Sequence, residues 1–353
     1  MKKIRTGLAG YGLSGEVFHA PFLHTNPLFE FAMVMERSKN LARKRYPYVE
    51  RVHSFDQMIL DPSIELVVIT TPNEYHFEMI KEALMKDKHV LVEKPFTVTS
   101  SEGYKLDDLA KKRNLVLAVY HNRRWDGDFL TVQALLKQEL AGNPSAFEAH
   151  FDRFESGMNF DSWREKDLPG SGVLFDLGSH LIDQALCLFG KPEEVTANIE
   201  IQREGGMADD AFDIHLHYKT LTAVLKSGML IREPGPRYQL HGSKGSFIKY
   251  GIDPQEERLK AGAWPDEKDF GFEPEESWGI LNTDFNGLHF RGNIETLPGQ
   301  YNTFYNKLYE SIRDGKKVPV SASEAAAVID VIECARKSAA EGRTIRFIDR
   351  GAE

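Results

Sequence analysis

A lysine and an aspartate–histidine pair are the residues whose types and spacing could perform chemistry. Lys94 follows the apolar run 89–92, and ligands of open parallel sheets bind just beyond the carboxyl ends of such strands. Asp176 and His180 are four residues apart in a helical pattern, so they share one helix face. A neighbouring carboxylate can raise the basicity of an imidazole, as a general base requires, and a cation stabilises a developing alkoxide. Together the three residues suit the oxidation of an alcohol, although each alone is more typical of a solvated surface.

A glycine-rich loop near the start of the chain predicts a nucleotide site. Gly10, Gly12 and Gly15, with Leu13 and Ser14 between them, follow a predicted strand and precede a predicted helix. In dinucleotide-binding folds such glycines allow a tight turn, close approach of the backbone to pyrophosphate, and close packing of helix on strand. The amino end of the helix offers free N–H groups and its positive dipole end to the phosphates. The alternative is a glycine-rich turn that binds no ligand.

The end of the second predicted strand, 31–35, concerns the choice of cofactor. It is followed by Glu36, Arg37, Ser38 and Lys39. An acidic residue there binds the ribose 2′-hydroxyl of NAD(H), whereas a nearby arginine accepts the 2′-phosphate of NADP(H). Both residue types are present, so NAD(H) remains possible. The cluster of Arg37 with Ser38 and Lys39 favours NADP(H), and a solvated surface arginine is the alternative interpretation.

The order of the predicted elements indicates an α/β fold whose first domain covers residues 1–121. Strands are predicted at 4–9, 31–35, 65–70, 89–92 and 116–120, and helices between them include 75–86 and 100–113. Thr99 and Glu102 have the spacing of a capping box, which marks the start of the second of these helices. Strands that alternate with helices predict a Rossmann domain with a doubly wound parallel sheet.

Residues 122–353 predict a second domain, of the α/β (α+β) class with a large, open, mostly antiparallel sheet. Strands of alternating polarity are predicted at 146–154, 195–202, 212–218 and 222–226, and helices at 129–140, 176–189 and 325–341. The last helix, about 322–341, could pack back on the N-terminal domain. The stretch 254–298 has no pattern that predicts its structure.

Composition limits the classes of partner. The chain has 353 residues and a formal net charge of −9, which argues against a nucleic-acid partner held by phosphate contacts. No apolar run is long enough to span a bilayer. Cys187 and Cys334 have neither metal-binding nor disulfide spacing, and His215 and His217 lack a third ligand nearby, so we predict no metal. A reducing cytoplasm is the simplest location.

Several residues near the predicted domain junction could contact a substrate. Arginine forks and an indole face suit a polyhydroxylated ring, and the candidates are Asn122, Arg123, Arg124, Trp163 and Arg164. The alternative interpretation places Trp163 in the core and the arginines in structural ion pairs.

Four motifs occur in order along the chain: Gly10-Tyr11-Gly12-Leu13-Ser14-Gly15, Thr71-Pro72-Asn73-x-x-His76, Glu93-Lys94-Pro95 and Gly172-x-x-x-Asp176-x-x-x-His180-x-x-Asp183. On these motifs the chain resembles the Gfo/Idh/MocA oxidoreductases over essentially its full length. Within that family it is most similar to the NADP-dependent scyllo-inositol dehydrogenases, through 15–21, 121–126 and 250–256.

The resemblance implies a role for each motif. Lys94 would orient and polarise the substrate hydroxyl and touch the nicotinamide ribose. His180 would act as acid and base, with Asp176 beside it as a ligand of the substrate or of the histidine. The turn Thr71-Pro72-Asn73 would line the nicotinamide side of the site, with His76 and Glu93 close by. The Lys94–Pro95 bond is cis in many relatives. The open sheet of the second domain often forms the oligomer contact, so a homodimer or homotetramer is expected.

The leading hypothesis is reversible hydride transfer between NAD(P) and a secondary alcohol of a cyclic polyol or sugar. Alternatives within enzymes are a reductase of another keto- or anhydro-sugar and NAD-dependent cleavage of a glycoside. A non-catalytic NAD(P)-sensing regulatory protein on the same fold is the alternative from another class, because fold alone does not fix activity. The combination of Lys94, Asp176 and His180 favours an enzyme, since a sensor has no need of all three.

Overall fold

The chain forms two compact units in a computed structural model that describes residues 2–159 and 162–352. The first unit comprises Met1–Asn122, Pro254–Phe270 and Gln300–Ala326. The second comprises Arg123–Asp253, Gly271–Gly299 and Ala327–Glu353. The predicted second domain, 122–353, included residues 254–270 and 300–326. In the structure these two segments belong to the first unit.

Six parallel strands form the sheet of the first unit. They are β1 (Ile4–Ala9), β2 (Phe29–Met35), β3 (Glu50–Val52), β4 (Leu66–Ile69), β5 (His89–Val92) and β6 (Leu117–Val119). Their order in the sheet is β3-β2-β1-β4-β5-β6, and every pair is parallel. The order changes direction between β1 and β4, which is where open α/β sheets bind ligands. The predicted Rossmann sheet is therefore confirmed.

Helices connect these strands. A π-helical turn, Gly15–His19, continues into α1 (Ala20–Thr25), and α2 (Ala42–Arg45), α3 (Phe55–Ile59), α4 (His76–Met85) and α5 (Ser100–Lys112) follow. Two of them, α3 and α5, begin at a capping box. The predicted capping box of α5 is present, because Thr99 and Glu102 each accept the backbone N–H of the other. The helix α2, the helix α3 and the strand β3 were not predicted.

The second unit contains a nine-stranded sheet. Its strands are β7 (Pro144–His150), β8 (Glu194–Glu200), β9 (Ala211–His217), β10 (Thr222–Gly228), β11 (Tyr238–Gly242), β12 (Gly245–Lys249), β13 (Gly279–Phe285), β14 (Leu288–Ile294) and β15 (Ile345–Arg346). The order is β14-β13-β12-β11-β7-β10-β9-β8-β15, and only β7 with β10 is parallel among these pairs. The predicted open, mostly antiparallel sheet is confirmed.

Helices cover one face of this sheet and share a hydrophobic core with it. The helix α6 (Gly127–Lys137), the helix α7 (Ser179–Phe189) and part of α10 (Ala322–Glu341) contribute apolar side chains to one buried cluster with Phe147 and Leu225 of the strands. The predicted strand 146–154 is too long: β7 ends at His150, and Phe154 forms only an isolated bridge to Leu230.

The stretch 254–298, which no pattern predicted, is divided among short elements. It contains α8 (Gln255–Lys260), a 3₁₀ turn at Glu275–Ser277 and the hairpin of β13 and β14. The following helix, α9 (Tyr301–Asp314), belongs to the first unit and ends at Gly315, whose φ is 66°. Within the described ranges, no helix is long and apolar enough to cross a membrane.

Candidate active site

The three glycines of the nucleotide loop meet different surroundings. A Cβ at Gly15 would lie 2.3 Å from the carbonyl oxygen of Gly10, and one at Gly10, where φ is +116°, would lie 2.8 Å from Thr70 Oγ1. A Cβ at Gly12 would meet no atom within 4 Å. Gly10 and Gly15 are therefore required by the packing of the loop itself. Gly12 borders open space, as expected of the glycine that lets the backbone approach a pyrophosphate.

The loop leads directly into the first helical turn. Ser14 is the residue before the turn, and the Glu16 N–H donates to the Gly12 carbonyl oxygen over 2.9 Å. Leu13 is exposed at the tip of the loop. Backbone N–H groups at the start of such a helix suit a phosphate ligand. The loop therefore fits the pyrophosphate of a dinucleotide.

Glu36, at the end of β2, bonds to the backbone of the next helix. Its side chain is buried, and its two carboxylate oxygens accept the N–H groups of Leu41, at 2.8 Å, and Ala42, at 3.1 Å. Arg51 Nε donates to the Glu36 carbonyl oxygen over 3.1 Å, which holds the end of the strand. The Glu36 carboxylate thus holds the start of α2, a structural role that the sequence did not indicate.

The residues after Glu36 point outward. Arg37, Ser38 and Lys39 are all exposed, in a turn that joins β2 to α2. The turn therefore presents two cations and a hydroxyl group to solvent, where the predicted 2′-phosphate would bind.

The turn after β4 is braced by a buried histidine. His76 is 1% exposed, and its Nε2 lies 2.9 Å from the carbonyl oxygen of Thr71. Its Nδ1 lies 3.0 Å from the carbonyl oxygen of Pro95 and 3.1 Å from that of Phe96. Burial lowers the pKa of His76, and the hydrogen bonds to these carbonyls only partly oppose that effect. His76 thus links the Thr71–Asn73 turn to the segment that follows Lys94.

Glu93 connects the glycine loop to the lysine. Its Oε1 accepts hydrogen bonds from the Ser14 hydroxyl and from His19 Nε2, the latter over 2.8 Å, and its Oε2 accepts the Lys94 N–H over 3.0 Å. The Tyr305 hydroxyl lies 2.8 Å from His19 Nδ1. Burial alone would raise the pKa of Glu93, but the hydrogen bonds from His19 and Ser14 and the charges of His19 and Lys94 hold it below its ordinary value. One ionised carboxylate therefore holds both functional segments.

Lys94 lies where the sequence predicted, directly beyond β5, and it is half-buried. Its peptide bond to Pro95 is cis, as the resemblance implied. Parallel strands end at the same edge of a sheet, so Lys94 shares an edge with the glycine loop after β1 and the Thr71 turn after β4. The strand order accounts for this convergence of residues that are distant in sequence.

Asp176 and His180 lie in the second unit, where the predicted helix 176–189 starts differently. A π-helical turn, Leu174–Gly178, carries Asp176, and α7 begins after it, with His180 in its first turn and 4% exposed. Single π turns within helices are frequent at functional sites. Arg164 Nε lies 3.1 Å from Asp176 Oδ2, so two of the predicted site residues form an ion pair.

The arginines that follow Asn122 are engaged in ion pairs. Arg124 binds Asp183 through two hydrogen bonds of 2.8 and 2.7 Å, and Arg123 Nη1 donates to Asp126 over 3.2 Å. These contacts match the structural alternative that the sequence left open for both arginines. Bidentate pairing fixes Arg124 against the helix that carries His180.

Other candidates differ in what the structure describes. Asn122 is buried, and the side chain of Trp163 lies outside the described part of the chain. The sequence did not indicate that His19 and Tyr305 support Glu93. His19 stood within the motif 15–21, but nothing in the sequence connects it to Tyr305. Among the described residues, no three His, Cys, Asp or Glu side chains are grouped so as to hold a metal.

Comparison with known proteins agrees with this geometry. The family model described as "Oxidoreductase family, NAD-binding Rossmann fold" (GFO_IDH_MocA) matches residues 4–121, and the model of its C-terminal alpha/beta domain matches residues 133–347. The chain is 41% identical to the scyllo-inositol 2-dehydrogenase (NADP(+)) IolW of Bacillus subtilis, over 97% of this chain and 95% of that protein.

Two solved structures are similar over nearly the whole chain. A putative oxidoreductase from Bacteroides fragilis has a TM-score of 0.91 and 43% identity, covering 98% of this chain and 100% of its own. The putative oxidoreductase yvaA from Bacillus subtilis has a TM-score of 0.95 and 41% identity, covering 98% and 99%. Both units therefore have the same fold as these two structures.

The contrast between Gly12 and Gly15 generates a first prediction. We expect Gly12→Ala to leave the melting temperature unchanged but to weaken the binding of a reduced nicotinamide dinucleotide, NADH or NADPH, by at least about tenfold, because the new methyl group would occupy the approach to the pyrophosphate. Gly15→Ala should lower the melting temperature, since its methyl group meets the Gly10 carbonyl at 2.3 Å. Thermal unfolding and fluorescence titration with NADH and with NADPH measure the two effects. Unchanged affinity for both nucleotides in Gly12→Ala would contradict the assignment of the loop.

Proposed function

Because the chain belongs to the Gfo/Idh/MocA family of NAD(P)-dependent oxidoreductases, we propose that it oxidises a secondary alcohol of a cyclic polyol with NADP⁺, with scyllo-inositol as the leading substrate. The observation that carries the proposal is the Glu93 carboxylate, which bonds both the glycine loop and the Lys94 N–H. That contact supports a lysine that acts beside a bound dinucleotide. The 41% identity to a scyllo-inositol 2-dehydrogenase supports the substrate class.

NADP⁺ is the proposed cofactor rather than NAD⁺. An acidic residue at the end of β2 would select NAD⁺ by binding the ribose 2′-hydroxyl. Here both oxygens of Glu36 already accept N–H groups of Leu41 and Ala42, while Arg37 and Ser38 are exposed beside it. A guanidinium group pairs well with a phosphate, so this arrangement favours the 2′-phosphate of NADP⁺.

The proposed reaction removes a hydride and a proton from the same alcohol group. The bound nicotinamide supplies an acceptor for the hydride that leaves the alcohol carbon. His180 takes the proton from the hydroxyl group, and the Lys94 ammonium group stabilises the negative charge that develops on that oxygen. The products are a ketone, NADPH and protonated His180, which releases its proton to solvent. In the reverse direction His180 donates the proton.

Asp176 is proposed to keep the substrate or His180 oriented. Its Oδ2 lies 3.1 Å from Arg164 Nε, and its carboxylate can accept a hydrogen bond from a hydroxyl or an imidazole N–H. We further propose a homo-oligomer, a dimer or a tetramer, and a cytoplasmic location, where the thiols of Cys187 and Cys334 would stay reduced.

The test of the proposal is an assay of the purified protein with NADP⁺ or NAD⁺ and a panel of inositols, other cyclic polyols and sugars. Formation of reduced nicotinamide is followed by its absorbance. We expect turnover with scyllo-inositol and a preference for NADP⁺. Tight NADPH binding without turnover of any alcohol would overturn the dehydrogenase and favour the nucleotide-sensing alternative. Turnover of a different sugar alone would replace the substrate but keep the reaction.

Removal of either proposed catalytic side chain should stop the reaction without releasing the cofactor. We expect Lys94→Ala and His180→Ala to lower kcat by about 10²–10⁴-fold, the range typical of a lost general acid–base or charge-stabilising group. The NADPH dissociation constant should stay within about tenfold of the wild type, because each residue acts on the alcohol. Lys86→Ala, at an exposed lysine after α4, is the matched control. Wild-type turnover in either variant would refute the assigned role.

The preference for NADP⁺ should depend on Arg37. Loss of a charge-assisted hydrogen bond to a phosphate costs roughly 1.5–3 kcal/mol, so Arg37→Ala should weaken NADP⁺ binding by at least about tenfold. NAD⁺ has no 2′-phosphate, and its affinity should not change. Arg43→Ala, at an exposed arginine of α2, controls for general charge. Equal loss of both cofactors in Arg37→Ala would contradict the assignment.

A further inference from the structure

We propose that two consecutive aspartates, Asp209 and Asp210, are positioning residues that set the geometry of Asp176. They precede β9, and their side chains contact Leu174, Arg336, Gln202 and Arg203 rather than Asp176 or His180. Each aspartate begins a separate set of contacts, made of hydrogen bonds and short stretches of backbone, that leads to Asp176. The inference rests on the proposed function, because it concerns the same reaction site.

Asp209 holds the start of the helix that carries Asp176. Its carboxylate Oδ2 accepts the Leu174 N–H over 2.7 Å, and its backbone carbonyl oxygen accepts the Val173 N–H over 2.8 Å. No side chain of the helix itself caps this end. The first N–H groups of a helix need acceptors, and Asp209 supplies two of them from a distant part of the chain. Asp176 is two residues after Leu174, so this contact fixes its backbone.

Close approach of Asp209 requires the glycine at 172. A Cβ at Gly172, where φ is +89°, would lie 2.3 Å from Asp209 Oδ1. Arg336 Nη2, on α10, lies 3.4 Å from that oxygen, and its guanidinium lies over the Phe175 ring. The side chain of Asp209 is only 9% exposed. The site around Asp209 is therefore built to hold one carboxylate.

Asp210 holds Arg203 instead. Its oxygens accept the Gln202 N–H over 2.6 Å, the Arg203 N–H over 2.9 Å and Arg203 Nε over 3.0 Å. Both side chains are almost fully buried, at 1% and 4% exposure. A buried charged pair with three N–H donors on one carboxylate has a single well-defined geometry.

Arg203 in turn anchors the segment that contains Arg164. Its two terminal nitrogens bind Glu165 over 3.2 and 2.9 Å, and Nη1 also donates to the carbonyl oxygens of Glu155 and Gly157. Glu165 is the neighbour of Arg164, whose Nε lies 3.1 Å from Asp176 Oδ2. Asp209 therefore fixes the backbone near Asp176. Asp210, through Arg203 and Glu165, fixes the segment of Arg164, which binds the Asp176 side chain.

An isosteric change to asparagine tests each branch. Every oxygen of Asp209 and Asp210 that forms a contact faces an N–H group, so an amide in either place turns one acceptor into a donor that faces another donor. Asp209→Asn should speed amide hydrogen exchange in 172–180 and leave 162–168 unchanged. Asp210→Asn should speed exchange in 162–168 and leave the first turn of the helix less affected. Glu204→Gln, an exposed carboxylate on the same turn as Arg203, is the matched control.

The same variants should lose turnover. Small displacements of positioned groups reduce rates strongly, so we expect kcat to fall by at least about tenfold in both variants. The NADPH dissociation constant should remain within about twofold, because the aspartates belong to the second unit and the glycine loop to the first. If Asp210→Asn does not fold, Glu165→Gln can replace it, because this change affects only the contact between Arg203 and Glu165. It should reproduce the loss of turnover and the faster amide hydrogen exchange in 162–168.

Four outcomes are distinguishable. Faster amide hydrogen exchange confined to the expected segment, with reduced kcat and unchanged NADPH affinity, would support the inference. Wild-type kcat in both variants would overturn it. Faster exchange spread uniformly over the second unit would also overturn it, since the aspartates would then act on stability alone. Failure of the wild-type protein to oxidise any alcohol would reject the proposed function, whereas the exchange pattern would still show whether the two tethers exist.

Discussion

The Glu93 carboxylate is the contact on which the first unit's functional edge depends. It accepts hydrogen bonds from the Ser14 hydroxyl of the glycine loop, from His19 and from the Lys94 N–H, and its own burial makes each of them necessary. A buried carboxylate without such donors would be strongly unfavourable in its charged form. The requirement to satisfy one charge therefore determines where the loop and the lysine lie with respect to each other.

The second unit positions its residues by the same physical rule. Asp209 provides acceptors for the first N–H groups of a helix, and Asp210 satisfies Arg203, which holds the segment of Arg164. Arg124 is likewise fixed by two bonds to Asp183. In both units, structural carboxylates hold the segments that carry the residues proposed for chemistry: Glu93 does so directly for Lys94, and Asp210 does so for Asp176 through Arg203 and the segment of Arg164. Activity is therefore expected to be sensitive to acids that never touch a substrate.

The sequence predicted those elements of the fold whose signal is local. The strand before the glycine loop and the strand before Lys94 are short-range patterns, and the structure confirms both strands and their place in one parallel sheet. The roles assigned to the glycine loop and to Lys94 stay predictions. The task of Glu36 depends on the N–H groups of Leu41 and Ala42, which no composition rule reveals. The contact of His19 with Tyr305 joins residues far apart in the chain. The π turn at Asp176 and the short elements of 254–298 also have no hydrophobic periodicity from which they could be predicted.

The central claim is direct hydride transfer from a polyol carbon to NADP⁺, and isotopic labelling measures it most directly. The protein is incubated with NADP⁺ and scyllo-inositol that carries deuterium on its ring carbons, and the reduced nucleotide is isolated and analysed by NMR. We expect deuterium at C4 of the nicotinamide ring, and none when the label is placed on the hydroxyl groups instead. Unlabelled NADPH from the carbon-deuterated substrate, or no NADPH at all, would contradict the claim.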